Sequence, residues 1–169
     1  NVLWNAVENL FPAKMESYKS KFQKEYQLQI ANCNRVNKEF VSRSKILTNI
    51  RDEMKKSNLI QLAGQEGTGR SSILRKIASD MARSKSTLVI PYVQDGSDFT
   101  EMEDVLQYFI INLDGELPKD TNAQSLAISF QEAVQKNALS DRKVFIFLDI
   151  QTETDNTSWI PDILPENTV

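Results

Sequence analysis

Gly64-Gln65-Glu66-Gly67-Thr68-Gly69-Arg70-Ser71-Ser72 gathers three glycines, a cation and three hydroxyls into one short stretch. That combination suits the holding of a polyanion. Glycine admits backbone conformations closed to other residues, so successive N–H groups can turn toward one anion. Arg70 adds a cation for the β/γ-phosphates, Ser71 a hydroxyl for a divalent cation, and Ser72 a further phosphate contact. The spacing G-x-x-x-x-G-[KR]-[ST] is that of a phosphate-cradling loop, with arginine where lysine is usual. A chance match arises in roughly 1% of chains of this length. Asp149 is the second chemical residue: a carboxylate closing the apolar run that begins at Val144. There it is suited to hold Mg²⁺ from the side opposite Ser71. Glu153, four residues on, is the candidate for orienting an attacking water, with Asp155 beyond it.

These residues need elements to place them. The run 59–63, Leu-Ile-Gln-Leu-Ala, predicts a first strand, and Ile73, Leu74, Ile77, Ala78 and Met81 mark one face of the helix after the loop. Leu88, Val89, Ile90, Tyr92 and Val93 predict a second strand, which Pro91 confines to an edge or a bulge. Thr100 with Glu103, and Thr121 with Gln124, have the spacing of helix-opening caps. Upstream, apolar residues from Trp4 to Cys33 recur in steps of three and four, and Pro12 divides them into helices over 2–10 and 13–34. Ser42 or Ser44 caps a further helix carrying Ile46, Leu47, Ile50 and Met54.

Helices alternating with apolar runs imply crossover connections and a mostly parallel sheet, and ligands sit at the carboxyl ends of such strands. Gly64 and Asp149 both fall at such ends. The expected architecture is an α/β, three-layer parallel sheet flanked by helices, with an N-terminal helical extension. Residues 1–36 form a helical linker or docking arm, and 37–169 the α/β domain.

Composition narrows the function. The chain has 169 residues, 25% of them charged, and a net charge of −3, which leaves no electrostatic footprint for nucleic acid or a membrane surface. The longest apolar run, 144–148, is far too short to span a bilayer. Without histidine, histidine triads and most zinc sites are excluded. A single cysteine, Cys33, forbids an internal disulfide and fits a reducing compartment. Asn1 at the start and the proline-containing stretch before Val169 suggest a piece of a longer polypeptide.

Taken in order, the motifs resemble the NACHT-type branch of the STAND NTPases, regulatory P-loop proteins related to the AAA+ class, and particularly the NTPase modules of nephrocystin-like and telomerase-associated proteins. Phe40-Val41-Ser42-Arg43 is similar to the family's aromatic-Val-Gly-Arg segment, which lies against adenine, with Ser42 in place of glycine. Gly64 to Ser72 resembles Walker A, Val144 to Asp149 Walker B, and Ser158-Trp159-Ile160-Pro161 with Leu164-Pro165 the segment preceding the next strand. Thr152 stands where the family often has an acidic or amide residue.

The resemblance implies ATP (or ADP) with Mg²⁺ as ligand, GTP being the other candidate nucleotide. It implies Phe40, Val41, Arg43, Gly64, Gly67, Thr68, Gly69, Arg70, Ser71 and Ser72 as nucleotide contacts, Ser71 and Asp149 as metal ligands, and Arg70 and Glu153 as catalytic residues of an NTP hydrolase. Arginine at position 70 predicts binding with weak or absent turnover. The implied partners are further domains of the same polypeptide, winged-helix and WD or tetratricopeptide repeats, and other proteins. The implied location is the cytoplasm, with the cytoskeleton or cilium as candidate sites. Two alternatives stay open: a nucleotide-independent scaffold and, more weakly, a small-molecule kinase.

Overall fold

A computed structural model describes residues 12–65, 67–140, 142–150 and 160, with side chains from residue 18 onward. Over these residues the chain is mixed α/β. Its elements are α1 (Pro12–Glu39), α2 (Ser44–Glu53), α3 (Arg70–Met81), β1 (Thr87–Val93), α4 (Met102–Asn112), α5 (Ala123–Ala138) and β2 (Lys143–Asp149). β1 and β2 pair in parallel, Thr87 with Lys143 through to Val93 with Asp149. The pair α4 and α5 forms the long crossover that a parallel pairing needs. Among the described residues no helix is long and apolar enough to cross a membrane.

Side chains alternate across a strand, and here the alternation divides the interior in two. Leu88, Ile90, Tyr92 and Val144 join Phe22 of α1 and the buried faces of α4 and α5 in the larger core. Val89, Phe145 and Phe147 point the other way, to Leu47 and Ile50 of α2 and Ile73, Ile77 and Ala78 of α3. Helices thus cover both faces of the sheet, as a parallel sheet requires. α1 contributes Phe22 to one core and Cys33 to the other. It begins at Pro12, where a missing N–H costs nothing, and runs unbroken to Glu39, past the boundary expected at residue 36. The helix expected over 2–10 lies outside the described residues.

β1 is an edge strand whose outward groups are sealed by side chains. The Tyr26 hydroxyl donates to the Val89 carbonyl (3.1 Å) and Tyr108 to that of Pro91 (2.6 Å). Gln29 completes the row, its amide accepting from the Val93 N–H (3.2 Å) and donating to the Val93 carbonyl (3.0 Å). Pro91 occupies an outward position, so the ladder loses no donor. Gln29 also donates to Glu25 (2.8 Å), and both residues are buried. Gln29→Ala should therefore leave three polar groups unpaired and cost about 3 kcal/mol, measured by urea denaturation. Leu28→Ala, next to it and 47% exposed, should stay within about 0.5 kcal/mol of wild type.

One predicted strand is not formed. Residues 59–63 show the burial alternation of a strand, with Leu59, Gln61 and Ala63 exposed and Ile60 and Leu62 half-buried, but they run as irregular chain. A strand exists through its ladder partner, and among the described residues this segment has none. β1 offers no free edge, and among the described residues β2 pairs only with β1. The caps also differ from expectation. Asn122, not Thr121, caps α5 by accepting from the Ser125 N–H, and the α2 and α4 N-termini carry no side-chain cap.

Candidate functional site

The glycine-rich stretch forms a tight loop feeding α3. The Thr68 hydroxyl and N–H both donate to the Gln65 carbonyl, at 2.7 and 3.3 Å. Gly67 and Gly69 take left-handed backbone angles, φ 75° and 84°, which glycine adopts without strain. The loop closes on itself: a Cβ at Gly64 would stand 3.1 Å from Thr68 Oγ1, and the Arg70 side-chain stem lies beside it. Gly69 is the N-cap of α3 and gives no side-chain cap, and the first turn carries no acidic residue. The unpaired N–H groups and positive dipole end of α3 therefore meet no negative side chain of their own helix.

The segment after α1 reaches this loop from the other side. Val36, Glu39, Phe40, Val41 and Arg43 line a cleft of about 270 Å³ together with Gly69 and Ser72. Two ties hold the walls in place. Ser79 Oγ of α3 donates to Asn34 Oδ1 of α1 (2.8 Å), and Asp80 of α3 joins Arg51 of α2 (2.7 Å) and Lys76 (2.6 Å). Val41 is 81% exposed at the cleft's rim. Arg43 Nη1 donates to the Thr68 carbonyl.

Asp149 ends β2 on the sheet face that carries Phe145 and Phe147, hence toward α3. It lines a crevice too narrow for water with Leu74, Arg75 and Ala78 of α3 and with Cys33. Among the described residues, Asp149 Oδ2 and Arg75 Nε are buried without a hydrogen-bond partner. Ser71 lies on the same helical stripe as Leu74, Arg75 and Ala78, one turn nearer the loop. Burial pushes the Cys33 thiol up to about 11, so at neutral pH it is a protonated core residue.

Ten of the residues singled out in the sequence thus gather at one end of α3. Phe40, Val41, Arg43, Gly69 and Ser72 share the cleft, Gly64, Gly67, Thr68 and Arg70 form the adjoining loop, and Ser71 lies in the helix's first turn. Asp149 approaches further along that helix. Glu153, Asp155, Thr152 and the stretch from Ser158 lie outside the described residues, except Ile160, which packs on the larger core. Val36, Glu39 and Arg75 were missed. The helical period of α1, followed past Cys33, points to Val36 and Glu39. Among the described residues no cluster of three or more His, Cys, Asp or Glu is placed to hold a metal ion. No family model, curated protein or solved structure matches the chain.

Proposed function

We propose that this chain is a nucleotide-binding regulatory module, of switch or scaffold type, that takes ATP with Mg²⁺ and hydrolyses it weakly or not at all. The observation that carries the reading is the shared cleft. Phe40, Val41 and Arg43 are remote in sequence from Gly69 and Ser72, yet they line one cavity beside a loop whose glycines and helix start suit phosphate. In this reading Phe40 and Val41 flank the base, and the loop from Gly64 to Ser72 receives the phosphates. Asp149 and Ser71 are the residues that would hold magnesium. Asp149 carries a buried carboxylate oxygen that has no partner among the described residues, and Ser71 lies on the helical stripe that lines its crevice. Magnesium bound there would neutralise the charge of the β- and γ-phosphates. Arg70 is exposed, and its planar fork is poorly suited to follow charge onto a leaving group. We further infer that the two strands belong to a larger three-layer P-loop sheet. The outward positions of β2 (Val144, Ile146 and Leu148) offer the edge at which it would grow.

The test is thermal unfolding of the purified chain with Mg-ATP. At a hundredfold excess over Kd, linkage gives about 2.7 kcal/mol, a rise of about 5–10 °C for a chain of this size. No rise with ATP, ADP or GTP would sink the proposal. A nucleotide-independent scaffold would then be favoured, a reading already supported by residues 59–63, which leave the loop without a paired strand before it.

A further inference from the structure

The sequence places Arg43 with the base; the geometry points to the phosphates. We propose that Arg43 is a phosphate clamp, a second cation that works with Arg70 in place of the usual lysine. This deepens the nucleotide-binding proposal and rests on it. Arg43 Nη1 donates to the Thr68 carbonyl, at the crown of the glycine loop. Its guanidinium lies flat against Gly69, with Nη1, Nη2 and Cζ at 3.2, 3.3 and 3.4 Å from where a Cβ would stand. A guanidinium has five N–H donors, and a single carbonyl leaves most of them unused. Among the described residues Arg43 forms no ion pair, although it shares the cleft with Glu39. Its charge is therefore left for a ligand in the cleft, and the atoms beside it are those of the loop. A polyphosphate suits that arrangement, because the fork of arginine pairs with phosphate oxygens bidentately. The uncharged base and ribose offer no matching anion.

The measurement is binding of tripolyphosphate, Mg-ATP and adenosine to wild type, Arg43→Ala and Arg43→Lys, with circular dichroism confirming the fold. Arg43→Ala should weaken tripolyphosphate and ATP about thirtyfold, the size of a lost charged hydrogen bond, and adenosine less than about twofold. Arg43→Lys, which keeps the charge and loses the fork, should recover part of that loss. A latch that only orders the loop would respond differently, moving all three ligands together or none, and either result overturns the clamp. Wild type that binds tripolyphosphate but not ATP would keep the clamp and defeat the nucleotide reading. Binding neither defeats both.

Discussion

Gly69→Val should cost at least about a hundredfold in ATP affinity, or about 2.7 kcal/mol, while leaving the chain folded. Two costs combine. At φ 84° the backbone is in the left-handed region, where a β-branched residue pays about 1–3 kcal/mol. The new Cβ would also stand 3.2 Å from Arg43 Nη1, with the γ-carbons reaching further. The guanidinium must then leave the Thr68 carbonyl, and the loop its conformation. Neither cost falls on the cores, because residues 67 and 68 are exposed and Gly69 itself is half-buried at the start of α3. Gly67→Ala is the internal control. Its φ of 75° is as unfavourable for a side chain, but nothing lies within 4 Å of the added carbon. It should lose only about tenfold, the strain alone. The idea fails if isothermal titration finds the Gly69 variant within threefold of wild type.

What the sequence carried well was whatever repeats locally. The run from Val144 to Leu148 is apolar without interruption, which marks a strand buried on both faces, and it lies within β2 as expected. The face of α3 was readable because Ile73, Ile77 and Ala78 keep helical spacing and are buried together. What stayed hidden is set by pairs distant in the chain. Gln29 pairs with Val93 across 64 residues, and no periodicity announces a glutamine that covers a strand edge. Residues 59–63 have the composition and alternation of a strand, but a ladder partner is a tertiary property, and none is supplied among the described residues. The motif names Arg43 but not what its guanidinium meets, the Thr68 carbonyl and Gly69, because a motif gives the order of residues along the chain and not the direction of a long side chain. Arg75 escaped altogether: mid-helix, it reads as a solvated charge, and only the fold brings it to the crevice beside Asp149.

Asp149→Asn should erase the magnesium-dependent part of ATP binding while leaving the stability of the ligand-free chain within about 1 kcal/mol of wild type. The small second effect follows from two opposing contributions. A buried carboxylate oxygen without a partner costs about 1–3 kcal/mol, which the neutral amide reduces. Arg75 lines the same crevice, and removing the carboxylate takes away an opposite charge nearby, a loss of similar order at an effective dielectric near 20. These nearly cancel. Ligand binding has no such cancellation, since an amide is a far poorer ligand than a carboxylate for a hard cation. Wild type should gain about tenfold or more in ATP affinity when Mg²⁺ replaces EDTA, worth about 1.4 kcal/mol; the variant should gain nothing. The double variant Asp149→Asn with Arg75→Gln should be more stable than Asp149→Asn alone by about 1 kcal/mol, because it relieves a guanidinium left without its counter-charge. A magnesium increment that survives in Asp149→Asn would remove this carboxylate from the metal site. The cleft around Phe40 and the clamp at Arg43 would then have to account for binding on their own.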